Sequence, residues 1–163
     1  MIRKLLLAGA LVLLSSSAVA AHASPVVTAA GPRFGVSIDP DQFVFGGQLS
    51  LREFAPDWSF DPNLELGFGD DQTNITFNLD AYYHLSLAGS DWRPYVGGGL
   101  GVDFISWDAP LGVRDHSDTH LGMNAVAGFT IPAGSGRHWF TELRFGLGDL
   151  PTLKIMGGMN FGK

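Results

Sequence analysis

Residues 74–85 read NITFNLDAYYHL, and the pattern inside them admits few folds. Ile75, Phe77, Leu79, Ala81, Tyr83 and Leu85 share one parity; Asn74, Thr76, Asn78, Asp80, Tyr82 and His84 share the other. Successive side chains of a β-strand point to opposite faces, so the run makes one apolar face and one polar face. A helix of 3.6 residues per turn would mix the two sets.

The alternation recurs along the chain. The apolar parity is Phe34, Val36 and Ile38 in 33–38, and Phe43, Phe45, Leu49 and Leu51 in 43–54. In 58–69 it is Trp58, Phe60, Leu64, Leu66 and Phe68, with Pro62 interrupting and pointing to a start after Trp58. Segments 93–107, 119–131, 138–147 and 152–161 behave alike, which with 74–85 makes eight strands. Between them lie DPDQ, AP, GDDQT, AGSD, PAGSG and GDLP, all rich in turn formers. The longest connection is DAPLGVRDHSD, 108–118. No segment shows a helical period.

Alternation does not say which face is inside; content does. The polar face holds Gly35, Gly46, Gly67, Gly97, Gly99, Gly101, Gly122, Gly128, Gly146 and Gly158 among charges of both signs. Glycine weakens a strand that faces water. Inside an eight-stranded barrel, whose bore is only wide enough for side chains, empty positions make room for long charged neighbours. The apolar face carries one charge within the strands, Glu53, as a lipid face requires. Trp58, Tyr83, Trp92, Trp139 and Phe161 lie toward strand ends, like an interfacial girdle. Strands in lipid must close on themselves, since an open edge leaves backbone groups unpaired. The expected fold is all-β: an eight-stranded, antiparallel, up-and-down transmembrane β-barrel.

The N-terminus explains how such a chain would reach a membrane beyond the cytoplasm. Arg3 and Lys4, the apolar run Leu5–Leu14 and the small-x-small site Ala21-His22-Ala23 form a secretory signal over 1–23. Residues 24–32, SPVVTAAGP, are expected to be a linker, and 33–163 the barrel. Removing the signal leaves 8 basic against 16 acidic residues, a net charge of −8, which disfavours nucleic acid as a partner. The chain has no cysteine, hence no disulfide and no thiolate metal site.

In its signal segment, in WRPYVGGGLGVDF at 92–104 and in the final TLKIMGGMNF, the sequence resembles the small outer-membrane barrels of the OmpA, OmpX and opacity-protein type. The resemblance covers roughly 33–161. It implies export by the general secretory pathway, integral residence in the outer membrane and a monomer with both termini in the periplasm. It implies lipid and lipopolysaccharide as surroundings. Periplasmic chaperones and the barrel-insertion machinery would be partners, the latter reading the terminal aromatic, Phe161. Larger relatives add a peptidoglycan-binding domain; none is expected after Lys163.

The candidate sites are modest. Arg52, Glu65, Asp80, Asp103, Glu142, Arg144 and Lys154 are expected to form a structural polar network in the lumen. The echo between LELGFGD (64–70) and LRFGLGD (143–149) suggests that Glu65 faces Arg144. The exposed loop would present Asp108, Asp115, His116 and Asp118. Asp115, His116, Asp118 and His120 are of ligating type, but the spacing carries no recognised metal motif, and no metal or cofactor is assigned. His116, Ser117 and Asp118 are of hydrolase type, but three consecutive residues do not make a triad. The expected role is structural or surface-interacting and non-enzymatic, with a largely plugged lumen. The alternatives are a small-solute or ion pore, a lipid-modifying enzyme, or a soluble lipocalin-like barrel with the apolar face inside. YVGGGLG is no nucleotide loop: the sixth position from Gly97 is Val102, and VDFISW follows as strand.

Overall fold

A computed structural model describes residues 27–69, 72–107 and 116–162. These form eight strands: β1 (Val27–Ile38), β2 (Gln42–Ala55), β3 (Trp58–Phe68), β4 (Gln72–His84), β5 (Arg93–Trp107), β6 (His116–Pro132), β7 (Arg137–Gly148) and β8 (Leu153–Gly162). Each pairs antiparallel with its sequence neighbours, and β1 also pairs with β8, so the sheet is a closed barrel without an open edge strand. No helix occurs among the described residues.

The pleat sorts the side chains as the parity predicts. Phe43 is 73% exposed, and Phe34, Phe45, Leu100, Leu121, Met123, Leu147 and Ile155 also face outward. Arg33, Asn63, Glu65, Asn78, Asp80, Asp103 and Arg144 are buried inside. A water-soluble barrel would have these sets exchanged. A wall so apolar over every strand is at rest only against hydrocarbon. The lipid-facing tryptophans and Tyr83 gather at the end that carries both chain termini. Trp58 packs on Tyr83 at 5.4 Å, and Trp92 stacks on Phe129 at 5.1 Å.

Three strand starts stand out against the sequence reading; the other boundaries move by no more than two residues. β1 begins at Val27, so residues 27–32 are strand rather than linker. Ala29 and Ala30 pair with both β2 and β8. Pro32 pairs with Gly47 of β2, and the β8 ladder skips from Ala30 to Arg33, so the proline faces the side where no amide hydrogen is needed. Pro62 is accommodated likewise. β3 does start at Trp58, with Pro62 opposite Leu79 of β4, and the β2 ladder is interrupted between Gln48–Asn63 and Leu51–Phe60. β6 starts at His116, three residues before the expected 119, because residues 116–118 pair with Trp107, Ser106 and Ile105. His116 and Asp118 therefore belong to a strand and not to the loop. Asp108 and Asp115, with the signal segment 1–23, lie outside the described residues.

Candidate functional site

The barrel's bore is filled by side chains that reach across it. Arg144 on β7 donates to Asp80 on β4 at 2.8 Å, and Lys154 on β8 donates to Glu65 on β3 at 2.7 Å. Strands on opposite sides of the barrel are thus joined through its middle. Arg33 on β1 pairs with Glu65 at 3.0 Å and also with Glu142 on β7. Arg144 additionally reaches Glu142 at 3.1 Å and the Tyr82 hydroxyl at 3.2 Å, and Tyr95 donates to Glu142 at 2.9 Å. Three cations and three carboxylates interlock, and none has more than a few per cent of its surface in contact with solvent.

The sequence places Glu65, Asp80, Glu142, Arg144 and Lys154 together, and the geometry joins them. Asp103 stands apart: it accepts from Asn74 at 2.7 Å and Thr76 at 2.8 Å. The side chain of Arg52 lies outside the described residues. The expected Glu65–Arg144 pair is not the one made. Arg33, Gly46 and Glu65 lie in one row across β1, β2 and β3, and Gly46 has no side chain to separate the two charges. Glu65 is therefore taken by Arg33 and Lys154, leaving Arg144 for Asp80 and Glu142. Arg33 is the member missing from the network as read from sequence, although its inward parity is legible there.

Around the ionic centre runs an amide ladder: Asn124 donates to Asn78, Asn78 to Asn63, and Asn63 to Asp80, each at 2.8 Å. Inward glycines make room for more than charged groups. A Cβ at Gly99 would stand 2.5 Å from Asp80 Oδ1, but one at Gly97 would meet Tyr82 and one at Gly128 would meet Tyr95.

At the end bearing the termini the bore widens into a cavity of about 460 Å³, lined by Gln48, Ser59, Asp61, Tyr82, His84 and Tyr95 among others. His84 Nε2 lies 2.9 Å from the Ser59 hydroxyl, which donates to Asp61. In a serine hydrolase the carboxylate orients the imidazole; here it takes the serine hydroxyl itself. Residues 116–118 are extended, so the Ser117 and Asp118 side chains leave on opposite faces. His120 Nε2 sits 3.5 Å from Asp118. Among the described residues no three His, Asp or Glu side chains converge as metal ligands.

The chain matches no protein-family model and no curated protein. Solved structures match it closely in shape. The N-terminal β-barrel domain of Pseudomonas aeruginosa OprF superposes with a TM-score of 0.69 at 18% identity, covering 86% of this chain and 100% of that one. It has the fold of a small outer-membrane barrel. Neisserial surface protein A gives 0.64 at 15% identity, covering 83% and 96% of the two chains. A major outer membrane protein from Thermus thermophilus gives 0.58 at 14% identity, covering 83% and 99%. With its lipid-compatible wall and charged core, this chain is a transmembrane barrel of the outer-membrane kind.

Proposed function

We propose that the protein is a structural component of the outer membrane, a monomeric barrel that spans the bilayer with its bore closed, and not an enzyme or an open pore. The observation that carries this reading is the set of ties through the centre of the lumen. Arg144–Asp80 and Lys154–Glu65 connect opposite walls, and every member is buried. The interior of an eight-stranded barrel is only wide enough for side chains to fill, and at its centre the ionic network fills it. Opening a path would uncouple buried charges from their partners, which is strongly unfavourable.

A surface-binding role draws less support. Away from the termini, the connections 39–41, 69–71 and 149–152 are three or four residues long, leaving 108–115 as the one of any length. Lipid and lipopolysaccharide are the partners the exposed wall favours. Phe161, 51% exposed on the last strand, supports a role as the terminal aromatic read by the insertion machinery.

The test is conductance of the refolded protein in planar bilayers. The closed-barrel reading predicts a silent membrane or rare, brief events; a steady large conductance would refute it and favour the pore.

A further inference from the structure

The β7–β8 connection does not arch over the mouth of the barrel; it folds into it. β7 stops at Gly148, whose φ of +84° is a left-handed conformation that glycine adopts without strain. From there the chain turns inward. Leu150 is 7% exposed, and Pro151 beside it is also buried.

The adjoining wall has been cleared for this leucine. Gly101 and Gly122 face each other across β5 and β6. A Cβ at Gly101 would lie 2.8 Å from Leu150 Cδ1, and one at Gly122 would lie 2.7 Å from Leu150 Cγ. Both distances are too short for real carbon contacts, so a side chain at either position would force the leucine to shift; the Leu147 carbonyl also crowds Gly122, at 2.5 Å, and Asn78 Oδ1 crowds Gly101, at 2.8 Å. Gly146 is covered in the same way by the backbone of Leu150 and Pro151.

The turn is also tied down. The Gly146 amide donates to the Thr152 carbonyl at 3.2 Å, and the Thr152 amide donates to the Asp39 carbonyl at 3.1 Å. The Thr152 hydroxyl reaches Asp39 Oδ2 at 3.3 Å, and His120 Nδ1 lies 3.2 Å from the Asp149 carbonyl. The β6–β7 ladder begins only at Gly122–Gly148, so the barrel wall is low on this side, and the turn closes the gap from that low edge.

We propose that Leu150 is a stopper: at the mouth away from the termini, the 149–152 turn closes the lumen above Gly101 and Gly122, while the 460 Å³ cavity opens at the terminal mouth. This rests on the closed-lumen reading and adds to it the element that closes one end. An apolar plug on a glycine seat covers the buried Asn78; Asn124, the next rung of the ladder, is partly exposed.

The absence of cysteine allows a clean test. Asn78 is 1% exposed, and its Oδ1 comes within 2.8 Å of the same Gly101 position that Leu150 approaches. Asn78→Cys is treated with a charged thiol reagent while the protein is folded in detergent micelles, where both mouths are wet. The stopper predicts slow labelling with Leu150 in place. It predicts labelling about tenfold faster or more when Leu150→Ser lets water into the seat. Leu150→Met, of similar volume, should restore protection. Rapid labelling with Leu150 present, or an unchanged rate in Leu150→Ser, would overturn the proposal. Asn124→Cys is the second reporter if Asn78→Cys fails to show the gel shift of a folded barrel, and the same change in rate on Leu150→Ser is required of it. A steady conductance of the unsubstituted protein would instead strike the closed-lumen reading, so the two failures are separable.

Discussion

Glu65 and Gly99 show how single residues set the state of the lumen. Glu65 is fully buried and compensates two cations, Arg33 and Lys154. Glu65→Ala leaves both without that partner, and breaking a buried pair from one side costs about 3–5 kcal/mol. Urea unfolding from micelles should therefore show a clear loss of stability, with Glu65→Gln less damaging. A midpoint within error of the parent would mean that the network contributes nothing. Gly99 tests the crowding of the bore. The Cβ of Gly99→Ala would collide with Asp80 and the Leu79 carbonyl, and overpacking of this kind costs about 1–3 kcal/mol. Gly47 is the contrast: it faces lipid, and the nearest atom to an added Cβ is 3.8 Å away, so Gly47→Ala should be neutral or nearly so in the same assay.

The same residues mark what a sequence can and cannot reveal. Parity is written into the chain because the pleat has a period of two, so Arg33, Glu65 and Asp80 can be assigned to the inside at once. Which charge meets which depends on reach across the bore, and no local pattern encodes that. Gly46 lets Arg33 meet Glu65, a relation visible only when β1, β2 and β3 are in register. In the sequence the inward glycines read as space for charges; in the barrel they are space for Tyr82, Tyr95 and Leu150 as well. Val44, Ile105, Val126 and Met156 break the polar pattern of the inward face and are buried within it.

At the scale of the strand, alternation over ten or so residues defines the element and the prolines obscure its limits. SPVVTAAGP looks like a linker because of Pro25, Gly31 and Pro32, yet 27–32 pair as β1. The inward turn of GDLP carries only ordinary turn chemistry, so nothing local distinguishes it from a solvent-facing connection. The lipid-facing parity gives the prediction proper to this scale. Leu100 is 54% exposed in the middle of β5. Leu100→Arg should destabilise the barrel in lipid vesicles by about 2–4 kcal/mol, as a cation near the bilayer midplane does. A refolding midpoint within error of the parent would mean that Leu100 does not face hydrocarbon. β8 supplies a second test. Phe161→Ala should lower the fraction of folded protein in the outer membrane without altering the stability of what is inserted; an unchanged fraction would remove Phe161 from the insertion signal.

For the molecule as a whole, the account is that eight amphipathic strands close with the apolar face against lipid, and that buried ion pairs tie opposite walls together. Closure without a free edge, together with ties through the bore, means that no small part can open alone. The barrel should therefore resist detergent until heated and then unfold cooperatively. The direct measurement is electrophoretic mobility of protein from isolated outer membranes, in sodium dodecyl sulfate with and without boiling. The account predicts a protein recovered in that membrane fraction whose unboiled form migrates as a compact band and shifts on boiling. A protein absent from the fraction, or one whose mobility does not change with heating, would contradict it.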